Sequence, residues 1–174
     1  MLKMKVKIKD INQGDLLTFK AADGRYKVLL CTSTYKDKST QNYTFAALTV
    51  DEQQKPTKQI VIESGFYGVG NRKEDYFKYS NKELERMWSV HPEVKPYYIG
   101  SYGLTIWRKD FMRFQENFEK IGNLEIVNNL DKNGNGSMNA SDWNFIRDFF
   151  NGEHHRLLLS RGQKLFKIES IIKH

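Results

Sequence analysis

Chemistry is most legible in the segment Asp131-Lys132-Asn133-Gly134-Asn135-Gly136-Ser137-Met138-Asn139-Ala140-Ser141-Asp142. A hard cation such as Ca2+ needs six to eight oxygens, and a twelve-residue loop supplies them from positions 1, 3, 5, 7, 9 and 12, with glycine at 6 for the sharp turn. Those positions hold Asp131, Asn133, Asn135, the carbonyl of Ser137, Asn139 and Asp142, and the turn falls on Gly136. Only two of the side chains are carboxylates, so binding on the order of 10⁻⁴–10⁻³ M is expected, with a structural rather than a sensing role. The same residues also read as plain turn chemistry: Asn-Gly occurs twice, Asn139 is placed to cap the next helix, and Asp142 would sit in its first turn. Both readings stand on the sequence alone.

Elsewhere the reactive residue types lack the company they need. Cys31 lies in an apolar run and reads as core. His91 precedes a proline, and the adjacent His154 and His155 diverge on a strand, with no Cys/His cluster to complete a metal site. Gly65-Phe66-Tyr67-Gly68-Val69-Gly70 has neither a dinucleotide fingerprint nor a phosphate-loop Lys-Ser/Thr, and reads as a bend exposing aromatics ahead of Arg72-Lys73. No Ser-His-Asp or Cys-His pattern stands out, so a non-catalytic protein is expected.

The elements that would position these groups fall into two stretches, residues 1–63 and 64–174 of one domain. Leu2, Met4, Val6 and Ile8 alternate with Lys3, Lys5, Lys7 and Lys9, which predicts a strand with a cationic face. That face suits either nucleic acid or an outer strand kept from edge pairing. Further strands are predicted at Leu16–Lys20, Arg25–Thr32 (after the Asp23-Gly24 turn), Tyr43–Val50 and Gln59–Glu63. Behind them, a capping box at Ser80–Glu83 opens a helix ended by Pro92. Tyr97–Trp107 reads as strand and turn, and Phe111, Phe114, Phe118 and Ile121 predict a helix over Lys109–Ile121, stopped by Gly122. Leu124–Val127 reads as a short strand. Trp143, Ile146, Phe149 and Phe150 then give the apolar face of a helix ending at Gly152, and Arg156–His174 reads as strand then helix.

At 174 residues with 39% hydrophobic content, the chain can bury a core without disulfide or metal staples. The single cysteine and the absence of a long apolar run predict a cytoplasmic protein without a membrane span. The net charge of +7 is uneven: residues 1–50 hold nine Lys/Arg against four Asp/Glu, and the remainder holds 19 against 17. A basic front end attracts anionic partners.

Two resemblances refine these expectations. The loop at 131–142, with its following helix, resembles one repeat of a dockerin over about 22 residues; no second repeat is present, so only the ion-binding loop is implied. Gln13-Gly14-Asp15-Leu16-Leu17-Thr18-Phe19, Asp23-Gly24-Arg25-Tyr26 and Val28-Leu29-Leu30 resemble the opening of small SH3-like barrels. That outline is shared by MazF/PemK-type toxin endoribonucleases and by bacterial immunity proteins of polymorphic toxin systems. The toxins carry Arg-Pro before the second strand, whereas Arg25 is followed here by Tyr26, so catalysis is not implied.

The expectation is therefore an α+β protein: a small SH3-like bent antiparallel sheet or barrel in front, with packed helices in the C-terminal half. It would act as an immunity-like inhibitor that occludes a toxin-like protein partner. Tyr35, Tyr43, Phe66, Tyr67 and Arg72 are the expected contacts, because aromatic and Arg side chains anchor interfaces. The alternatives are a nucleic-acid-associated protein using Lys3, Lys5, Lys7 and Lys9, and a module stabilised by Ca2+ at residues 131–142.

Overall fold

A computed structural model describes residues 6–34, 36–37, 40–69, 100–101, 103–126, 137–150 and 164–173. The chain is α+β. Its main sheet is built from β1 (Asp15–Lys20), β2 (Tyr26–Ser33), β3 (Lys36–Asp37), β4 (Thr40–Ala47), β7 (Gly103–Trp107), β8 (Glu119–Asn123) and β9 (Ser137–Asn139). The order is β8-β1-β2-β4-β7-β9, with β3 paired to β4. Neighbours run antiparallel except β7 and β9, which are parallel. A second sheet joins β10 (Lys164–Lys167), β5 (Gly65–Val69) and β6 (Gly100–Ser101).

The strand period of two explains why this sheet lies inside. In β1 and β2, the register pairs Leu17 with Leu29 and Leu16 with Leu30, so adjacent residues point to opposite faces and all four are buried. One face carries Leu17, Phe19, Leu29, Cys31, Tyr43, Phe45, Leu104 and Ile106 into a core shared with Phe111, Phe114, Phe118, Ile146 and Phe150. The opposite face carries Leu16, Val28, Leu30, Ala46 and Leu48 against Val61, Phe66, Leu124, Ile126, Ile168 and Ile171. Helices α2 (Arg108–Phe114) and α3 (Trp143–Phe149) thus supply the first cover, while α1 (Lys58–Ile62), β5 and the 3-10 turn Ile168–Ile171 supply the second.

Aromatic rings dominate the first core. Phe19 packs edge-on against Phe118 at 5.4 Å, Trp143 at 5.8 Å and Phe150 at 5.3 Å, and Phe118 reaches Phe111 at 5.4 Å. Edge-to-face pairs of this kind add to the area they bury.

Several elements differ from the sequence reading. Residues 6–10 form no strand, and Val6 is 85% exposed although Ile8 is buried as the alternation requires. Gln59–Glu63, read as a strand from its β-branched run, instead coils as Gln59–Ile62 of α1 with Glu63 as its C-cap, because the Thr57 hydroxyl accepts the Ile60 N–H at 3.3 Å and caps a helical turn. The helix expected to reach Ile121 ends at Phe114. A 3-10 turn over Gln115–Asn117 then turns the chain extended at Phe118, and β8 pairs with the edge of β1. Gly122 therefore stops no helix and lies inside that strand. Phe118 still reaches the core, since its burial survives the change of backbone.

Among the described residues no pairing joins β8 to β9, so the main sheet is open rather than closed into a barrel. Strands from residues 1–63 and from 64–174 share it. The helix opened at Ser80 and the stretch 151–163 lie outside the described residues.

Gly103 faces Ala46 across the sheet, and a Cβ there would run into the Phe45 carbonyl and the Ala47 N–H. Gly103→Ala is expected to lower the urea midpoint strongly, by loosening β4 from β7. Thr44 is 1% exposed and its Oγ1 has no hydrogen-bond partner among the described residues, a cost of about 1–3 kcal/mol for a buried hydroxyl. Thr44→Val keeps the shape and should raise stability by about 1 kcal/mol in equilibrium unfolding.

Candidate interaction surface

Two aspartates, Asp15 buried and Asp51 exposed, organise the polar groups around the sheet ends. Asp15, at the start of β1, is 3% exposed and accepts from the Asn12 N–H at 2.7 Å and the Asn123 amide at 2.9 Å, with the Lys120 ammonium 3.0 Å away. This set ties β8 to β1 beside Gly14, which holds φ at +90 and leaves no room for a Cβ against the Leu124 carbonyl. At the opposite end, the Asp51 carboxylate takes both the Arg25 Nε and the Lys27 Nζ at 2.7 Å, and Lys27 also reaches Asp23 at 2.9 Å. The Lys27 side chain is only 8% exposed, so the two carboxylates are what make its burial tolerable.

Burial alone would raise the Asp51 carboxyl, but hydrogen bonds from Lys27 and Arg25 outweigh it and hold it below the ordinary value. Burial also pushes the nearby Tyr67 phenol up to about 12, assisted by the Asp51 charge.

A different arrangement forms where the chain enters the fold. Ile8 and Ile11 are driven into the aromatic core, and the Ile8 N–H donates to Gln115 Oε1 at 2.9 Å. This leaves Lys7 and Lys9 exposed on either side of Ile8. The segment is strapped to α2 and β8 by Arg108, whose Nη2 donates to the Lys9 carbonyl at 3.2 Å, and by Lys120, which donates to the Asp10 carbonyl at 3.2 Å. Arg108 also faces Tyr43: burial raises that phenol above its ordinary value, and the guanidinium pulls it the other way. Arg108 thus spends its hydrogen bonds on neutral oxygens and keeps its charge. Next to it, Trp107 ends β7, is 53% exposed, and makes no capping hydrogen bond to α2. Lys109 follows, exposed.

The sequence-expected contacts distribute unevenly against this geometry. Tyr43, Phe66 and Tyr67 are 3%, 0% and 1% exposed, and a partner cannot reach them. Their strands are covered on the face that each ring occupies, so the aromatics expected at a surface serve the core. Tyr35 and Arg72 lie outside the described residues, as do Lys3 and Lys5; Lys7 and Lys9 are exposed as expected.

Of the calcium-type ligands, Asp131, Asn133 and Asn135 lie outside the described residues. Ser137 and Asn139 fall in β9, paired with Gly103 and Thr105. Asp142 caps α3, its Oδ1 accepting the Phe145 N–H at 2.9 Å, so the cap is Asp142 rather than Asn139. Among the described residues no group of three or more His, Cys, Asp or Glu side chains is placed to hold a metal.

Trp107, Arg108 and Lys109 were not singled out by spacing. The available signal was their order, a large aromatic followed by two cations at the end of a predicted strand.

Two of the shifted groups, Asp51 and Tyr67, give the stability a testable pH dependence. Asp51 binds its proton less readily when folded, so its contribution is present above the unfolded value near 3.8 and is lost as pH falls through the lower folded value. Asp51→Asn should flatten the acid limb of a stability–pH curve measured by urea unfolding. Tyr67 holds its proton more tightly when folded, so stability falls as pH rises from 10.0 toward about 12, and Tyr67→Phe should remove that part of the alkaline loss. Comparison with known proteins gives no match to a family model, to a curated protein or to a solved structure.

Proposed function

We propose that this protein acts by binding, as an immunity-like inhibitor that occludes a protein partner in the cytoplasm, and that Trp107 with Arg108 anchors the contact. The observation that carries the reading is Trp107, a large apolar ring left 53% exposed at the end of a strand whose inward residues Leu104 and Ile106 are fully buried. Trp and Arg are the residue types on which binding energy concentrates.

The placement of a neighbouring cation supports the same reading. Lys109 lies in the first turn of α2, where the helix dipole disfavours positive charge by a few tenths of a kcal/mol or more. A position that costs folding stability suits a role outside folding. The sheet order, with β8 returning beside β1, also suits a curved SH3-like platform that carries its contact surface at one end. No helix among the described residues is long and apolar enough to cross a membrane.

A photocrosslinking residue placed at 107, in cells that make the protein, should yield one discrete protein adduct that survives nuclease. Trp107→Ala should keep the melting temperature within a degree or two while weakening that complex about 30-fold, the loss of about 2 kcal/mol expected of an interface anchor. An adduct removed by nuclease, or no adduct, would overturn the proposal.

A further inference from the structure

We infer that the surface beside Trp107 takes an acidic protein segment, and that Lys7, Lys9, Arg108 and Lys109 together recognise it; this rests on the binding role proposed above. The N-terminal segment runs along α2 and the 3-10 turn behind it, fixed at Ile8 by Gln115, at Lys9 by Arg108 and at Asp10 by Lys120. Burial of Ile8 therefore sets Lys7 and Lys9 outward on a backbone that is already held in place. A pre-ordered pair of lysines loses less freedom on binding than a mobile tail would.

Charge accounting separates these cations from the others nearby. Arg113 is paired with Asp110 at 2.6 Å, Lys120 with Asp15 at 3.0 Å, and Lys55 with Glu119 at 2.9 Å. Lys7, Lys9, Arg108 and Lys109 carry no ion pair among the described residues, and Arg108 is held by carbonyl and phenol oxygens. Four such cations meet carboxylates well.

A nucleic acid fits less well, because Asp10 is exposed along the same stretch and would face a continuous run of phosphates. A folded acidic segment can place its carboxylates selectively and avoid it.

Titrating the ¹⁵N-labelled protein with octaglutamate peptide tests this directly. Saturable shifts are expected at Lys7, Lys9, the Arg108 side chain and the Trp107 indole, weakening as salt rises. The triple variant Lys7→Ala/Lys9→Ala/Lys109→Ala removes no side-chain hydrogen bond or ion pair among the described residues and should weaken the peptide about tenfold without changing the melting temperature. Absence of shifts at these residues, equal affinity in the triple variant, or tighter binding of an oligothymidylate of the same charge would each overturn the inference. An adduct at 107 whose affinity is untouched by the triple variant would do so while leaving the binding role intact; failure of the adduct itself would remove the binding role.

Discussion

Strands β1, β2 and β4 are apolar on both faces, and the rest of the molecule is arranged to keep water from both. A strand with one wet face alternates polar and apolar residues; here Leu16-Leu17 and Val28-Leu29-Leu30-Cys31 do not alternate. Two separate covers are therefore required. The aromatic set of α2, α3 and Phe118 lies over one face, and α1, β5 and Ile168–Ile171 over the other. The strands at the margins, β8 and β9, are drawn from distant parts of the sequence to pair the exposed edges.

Double burial also explains why the aromatic residues are poor guides to the surface. Phe66 and Tyr67 are neighbours on β5, so they point to opposite sides, yet each finds a core: Phe66 joins the cluster around Leu16 and Val61, and Tyr67 joins the cluster around Phe45. Tyr43 likewise turns inward from β4, with its ring edge-on to Phe111 at 6.0 Å. Among the described residues the aromatics left exposed are Trp107, at the end of β7, and Phe145 on α3.

The ionic groups divide by what they do for the fold. Asp15 and Asp51 each gather donors from remote positions in the chain and close a sheet end. Asp142 closes the start of α3. The N-terminal segment makes a different use of polar contacts, being tied by its backbone while its lysines remain in water. The tether is made by the Arg108 and Lys120 side chains to main-chain carbonyls, so Lys7 and Lys9 take no part in it.

Local pattern determined a good deal of this protein. The Asp23-Gly24 turn, the strands expected at Leu16–Lys20 and Arg25–Thr32, and the inward helix residues Phe111, Phe114 and Ile146 follow from turn chemistry and periodicity, which act over a few residues. Tertiary structure alone decided that the chain beyond Phe118 extends to pair with β1, and that Trp107 rather than Tyr43 or Tyr67 meets solvent. Those outcomes depend on which edge or face is still uncovered once distant segments have packed. That is a property of pairings more than a hundred residues apart, such as Leu16 with Gly122, and no short window of sequence contains it.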